Sequence, residues 1–192
     1  MSEPQKKNPA KCTSPEFRVS YPHVFKAHSG FEGQEPKFSI TMLFPKDTDL
    51  KELKRAALNA AVEKFGPKEK WPKVFRLPFR DGDEKSDLQG YEGHTFVAAS
   101  SKQRPGVING QKIPIIKEDE TFYAGCYARA TLIAFAYDTA GNKGVSFALQ
   151  NIQKLGDGEP FSGRKKAEEE FDSVDDGSDN PESYESGADA GF

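Results

Sequence analysis

The run TFYAGCYARATLIAFAYD (121–138) alternates two kinds of side chain along its whole length. Its even positions, Ala124, Cys126, Ala128, Ala130, Leu132, Ala134 and Ala136, are small and apolar. Its odd positions, Tyr123, Tyr127, Arg129, Thr131, Ile133, Phe135 and Tyr137, are mostly large, and one is charged. A period of two marks a β-strand, whose successive side chains point to opposite faces of a sheet. The small residues suit a tightly packed face. TAGN then reads as a turn, and KGVSFALQNIQKL (143–155) as the returning strand of a hairpin.

The rest of the chain supplies partners for that hairpin. FRVSYPHVFKAH (17–28) is rich in β-branched and aromatic residues, with a proline that predicts a bulge or an edge. KFSITMLFP (37–45) places Phe38, Ile40, Met42 and Phe44 on one face. Asp47 or Thr48 is expected to cap a helix through LKELKRAALNAAVEKF. There Leu50, Leu53, Ala57, Leu58, Ala61, Val62 and Phe65 recur at helical spacing, and Gly66-Pro67 ends it. Residues 67–94 are irregular, and a connection that long in a compact domain is usually functional. TFVAASSK (95–102) reads as a strand and RPGVING (104–110) as a turn with a short extended piece. Several strands, one inserted helix and long loops predict a mainly β, OB-like Greek-key barrel, with a β-sandwich as the alternative.

Charge divides the chain. Of its 30 carboxylates, ten lie between Ala167 and Phe192, a span without Lys or Arg. The remainder sets 20 carboxylates against 27 basic residues, a net of +7. A basic body with an acidic end points to a polyanionic partner and a means of regulating access to it, unless both ends only solubilise the chain. The organisation expected is a flexible N-terminal segment (1–16), a domain (17–163) and an acidic disordered tail (164–192), with a helical turn over GRKKAEEEF (163–171). Cys12 and Cys126 are too far apart in sequence to suggest a disulfide framework. The N-terminus lacks an apolar run, and no stretch is long enough to span a bilayer, so a reducing cytoplasm is the expected location.

Aromatic rings beside a guanidinium on one sheet face suit a single-stranded nucleic acid, with bases on the rings and phosphate on the cation. The candidates for stacking are Tyr21, Phe25, Trp71, Tyr91 and Tyr127. The candidates for phosphate contact are Lys73, Arg76, Arg80, Lys102, Arg104 and Arg129. Two bland alternatives stand beside these. Trp71 can be a plug that holds its loop down, and Ile133, Phe135 and Tyr137 can belong to the core. No phosphate-cradling GxxxxGK[ST], no GxSxG and no zinc-type spacing of His23, His28, His94 and the two cysteines is present. DGDEKSDLQGYE places Asp81, Asp83, Asp87 and Glu92 at calcium-loop positions. However, Lys85 and Ser86 break the pattern, so the stretch reads as a solvated acidic loop. No enzyme activity, cofactor or metal is expected.

The strings SYPHVFKAHSG, KFSITMLFPK, FYAGCYARATLIAFAYD and KGVSFALQNIQKLGDGEPFSG resemble phage-encoded single-stranded DNA-binding proteins over most of residues 17–163. That resemblance implies an OB fold, sequence-tolerant binding of single-stranded DNA (ssDNA), and a role in phage DNA replication or recombination in the host cytoplasm. The acidic end with its final Phe192 is similar in plan to the tails of such proteins. It implies regulation of DNA binding and recruitment of replication or recombination proteins, with the Phe192 ring as the anchor. Its sequence departs from the bacterial Asp-Asp-Ile-Pro-Phe ending, so no particular partner follows. A virion structural or assembly protein and a metal-dependent nuclease or recombination enzyme are the rival functions.

Overall fold

The computed structural model describes residues 8–117 and 121–161. It contains eight strands and one α-helix: β1 (Lys11–Thr13), β2 (Phe17–His28), β3 (Lys37–Pro45), α1 (Lys51–Phe65), β4 (Arg80–Asp81), β5 (His94–Ser101), β6 (Gly106–Ile108), β7 (Tyr127–Thr139) and β8 (Asn142–Gly156). Strand order runs β1-β7-β2-β3-β5-β8-β6, and β7 also pairs with β8. The path β7-β2-β3-β5-β8 therefore returns to β7 and closes a five-stranded barrel. Its neighbours are antiparallel except for β5 and β8. This is the OB-like barrel the sequence predicts.

The barrel closes because the alternation in β7 is real. Ala128, Ala130, Leu132 and Ala134 are buried, as are Val145, Phe147, Leu149 and Ile152 of β8. Ile40, Met42 and Phe44 of β3 complete the same interior with Val97 and Ala99 of β5. The hairpin turns on Ala140 (φ 46°) and Gly141 (φ 81°). Two consecutive positive φ angles between paired strands form the turn whose twist matches a hairpin.

Helix α1 buries Leu53, Ala56, Ala57, Ala60 and Ala61 in that core, whereas Leu58 and Val62, expected on the apolar stripe, are exposed. Alanines let the helix approach closely, so its packed face is narrower than the hydrophobic pattern implies. The cap also differs from expectation. The helix starts at Lys51 without a side-chain cap on Leu50, and Asp49 accepts from the Lys51 amide at 3.0 Å. Its end follows expectation: Gly66 (φ 77°) donates its amide to the Val62 carbonyl at 2.9 Å.

Two further departures have identifiable causes. Lys11–Thr13, in the segment expected to be flexible, forms β1 because it pairs with Thr131–Ile133, far away in sequence. Strand β7 starts at Tyr127, not at Thr121. Gly125 (φ 110°) breaks the extended run, and Phe122 turns into the core. The expected bulge in β2 lies between Ser20 and His23, where Tyr21 takes φ 44°. The expectations for 163–171 and for the acidic tail lie outside the described residues.

Candidate nucleic-acid interface

On the outside of the barrel, paired residues share a face. Ser39, Ser100, Ala148 and Ile133 form one row across β3, β5, β8 and β7. The next row holds Thr41 paired with Ala98, and Ser146 paired with Phe135. Except for Ile133 and Phe135 these side chains are small, so a planar group can approach the sheet. Phe135 is 43% exposed, which settles the question for that ring: it is on the surface. The following row, Leu43 and Phe96, is closed off. Leu43, Phe96 and Tyr91 form a satellite cluster with Leu88 and Phe161 packed on it.

The 67–94 connection borders this face and is held by its aromatic residues. Trp71 stacks on Phe75 (centroids 4.6 Å apart, 26° between planes) and donates Nε1–H to the Gly66 carbonyl at 2.9 Å. Phe75 meets Phe65 edge-on, and Phe79 meets the buried Phe147. Between these pins the backbone of Arg76 is stitched to β8. Its amide donates to Lys143 O at 2.9 Å, and its carbonyl accepts from the Val145 amide at 3.0 Å. Gly144 permits this approach, since a Cβ there would lie 2.3 Å from Arg76 O and 2.8 Å from the Tyr137 hydroxyl. The pinned aromatics leave the intervening cations outside: Lys73, Arg76 and Arg80 are exposed.

The six phosphate candidates differ in what they already hold. Lys102 is paired with Glu35 at 2.8 Å. Arg104 donates to the Ile116 carbonyl and lies over Phe25. Arg129 donates two hydrogen bonds to Gln153 Oε1, at 2.9 and 2.7 Å. Among the described residues, Lys73 and Arg76 have no acceptor for their charge, and Arg80 has only the face of Phe96, 5.1 Å away. Asp81 and Asp83 follow Arg80 in sequence, but another cation takes their carboxylates. Lys46 bridges Asp81 (3.0 Å) and Asp83. The Asp83 amide, and then Lys46, hold Asp81 below the usual carboxylate range. Lys46, and then the Gly93 amide, do the same for Asp83. Asp81 and Asp83 are thus committed to Lys46 and to backbone amides.

The stacking candidates separate in the same way. Tyr21 is 51% exposed. Tyr91 is buried, its hydroxyl 3.4 Å from Ser20 Oγ, so its assignment as a stacking residue is corrected: it is a core group. Trp71 is the plug of its loop. Phe25 is half-buried, edge-on to Phe122 and covered by Arg104. Tyr127 has the Arg18 guanidinium 5.9 Å from its ring centre, and Arg18 is itself bound to the Gly125 and Glu159 carbonyls. Phe192 lies outside the described residues. The candidates drawn from the sequence leave out Phe135 and Tyr137, whose rings lie on the outer face, although their place in the alternation marks that face. Sequence reasoning also misses the pairing of Lys46 with Asp81 and Asp83, for which the sequence carries no signal.

Fold and face together define an OB-type barrel with a border of arginines that lack an acceptor among the described residues. The family described as Enterobacter phage Enc34, ssDNA-binding protein, matches residues 10–181, and the chain belongs to it. The chain is 36% identical over 169 residues to protein p50 of Acyrthosiphon pisum secondary endosymbiont phage 1, a match covering 82% of this chain and 90% of that one. Its structure is similar to that of the ssDNA-binding protein of bacteriophage Enc34 in complex with ssDNA (TM-score 0.67, 28% identity, 82% of this chain and 97% of the other). It shares its fold with gp2.5, a single-stranded DNA-binding protein encoded by bacteriophage T7. There the TM-score is 0.56 at 16% identity, covering 84% of this chain and 98% of the other.

Proposed function

We propose that the chain binds ssDNA across the outer face of β3, β5, β8 and β7, without strong sequence preference and without catalysing a reaction on it. The observation that carries this reading is the pair of guanidinia, Arg76 and Arg80, that have no acceptor among the described residues and border a face of small residues with exposed rings beside it. A phosphate meets a cation that has no competing partner among the described residues, and bases stack on Phe135 and Tyr137, with Tyr21 as a further exposed ring. The small side chains supply no fixed pattern of donors and acceptors, so the face does not read sequence.

The biological setting in this reading is coating of ssDNA during phage DNA replication or recombination in the host cytoplasm. The ten carboxylates beyond Ala167 regulate binding through their charge, and Phe192 recruits partner proteins. Fluorescence anisotropy with labelled oligo-dT, with and without EDTA, tests the core of it. The expected result is saturable binding that EDTA leaves unchanged, with the oligonucleotide intact. Absence of binding would favour a virion assembly role, and cleavage stopped by EDTA would favour a nuclease.

A further inference from the structure

A cleft of about 510 Å³ opens between the Arg76–Arg80 segment and the β7–β8 hairpin. Its lining includes Arg76, Arg80, Leu77, Tyr137, Ala98 and Ser146. We propose that it is a mononucleotide slot, in which one unpaired base lies against Tyr137 while its phosphate is held by Arg76 and Arg80. The proposal rests on the reading of this face as an ssDNA interface, and adds to it a discrete subsite.

Size, chemistry and rigidity converge on that ligand. The volume is within the range of small-molecule sites, roughly 300–1,000 Å³. The lining combines flat apolar surface with two guanidinia and contains no carboxylate, so it matches a group that is a planar ring at one end and an anion at the other. Its hydroxyls, on Ser146 and Tyr137, both donate and accept, and so tolerate any base. One wall is preformed. The Arg76 backbone is laddered to Lys143 and Val145, and only a glycine at 144 leaves room for both that backbone and the Tyr137 hydroxyl. A ring can enter the slot only after leaving its base pair, so duplex DNA is refused at this point.

The test uses the full chain and thymidine 5′-monophosphate, observed by ligand line-broadening in NMR, with oligo-dT as competitor and inorganic phosphate as a control. The expected result is weak, saturable uptake of the nucleotide, displaced by oligo-dT, with phosphate alone binding at least tenfold more weakly. Tyr137→Ala and Ser146→Leu, the second filling the cleft without removing a ring, should each weaken nucleotide binding at least tenfold. A chain that binds oligo-dT but takes up no nucleotide would overturn the slot, as would nucleotide binding indifferent to both variants. A chain that fails to bind oligo-dT would instead overturn the underlying reading of the face.

Discussion

The two ends of β5 carry equal promise in sequence and unequal chemistry in structure. At the Phe96 end are Arg76 and Arg80; just beyond the Ser101 end are Lys102 and Arg104. The first pair has no acceptor among the described residues. The second pair is already satisfied, by Glu35 and by the Ile116 carbonyl. A cation that must first give up a partner recovers less on meeting a phosphate than one that has none. Counting basic residues therefore overstates a binding surface, and the useful count is of cations without a partner.

The largest expected effect follows directly. Replacing both Arg76 and Arg80 by Gln should weaken oligo-dT binding about a hundredfold, at about 1.5 kcal/mol for each charge-assisted hydrogen bond to phosphate that is removed. A weakening no greater than that from Lys102→Gln with Arg104→Gln would break the comparison. Circular dichroism would check that both double variants remain folded.

An intermediate effect is expected from Lys46, whose ammonium is already paired. Lys46 pairs with both Asp81 and Asp83. Lys46→Met should leave the Asp81 and Asp83 charges uncompensated near the Arg80 end of the face and lower affinity a few-fold at low salt, less as salt screens them. It should also change acid sensitivity. Both carboxylates are held below their usual range, so their stabilisation is present above it and is lost as pH falls below about 4. Melting curves across that window should flatten in the variant, and an unchanged acid profile would show that Lys46 is not their partner in solution.

Smaller effects sharpen the other end. Glu35→Gln frees Lys102 and should strengthen binding about twofold at low salt, fading as salt screens the exposed charge. Arg129→Gln is expected to leave affinity unchanged within error, because its guanidinium is already engaged by Gln153. A clear drop in affinity in a titration of that variant would place DNA on the Arg129 side of the face.

The sequence was most legible where periodicity carried the information. The alternation of β7 set Ala128 to Ala134 and Phe135 on opposite faces, with the structure deciding that Phe135 is outside, and the helical repeat located α1. It failed where pairing is non-local or aperiodic. Three residues of β1 are unremarkable until Thr131–Ile133 pair with them. In residues 67–94 aromatic and basic residues interleave without a period, so nothing in the string says that Trp71, Phe75 and Phe79 pin the loop while Arg76 and Arg80 stay outside. Tyr91 shows the same limit: a ring among Gly and acidic residues looks exposed, yet Leu43 and Phe96 bury it. The phosphate candidates were chemically sound as residue types, but their partners Glu35, Ile116 and Gln153 could not be read from spacing.

The most direct test of the central claim is the salt dependence of oligo-dT affinity in three proteins: the unaltered chain, the Arg76→Gln/Arg80→Gln variant and the Lys102→Gln/Arg104→Gln variant. Each phosphate neutralised on a single strand contributes about −0.7 to the slope of log affinity against log salt. If unpaired cations meet the phosphates, the first variant should lose about 1.4 from the magnitude of that slope and the second should match the unaltered chain. Equal losses in the two variants, or a loss in the second alone, would contradict the account.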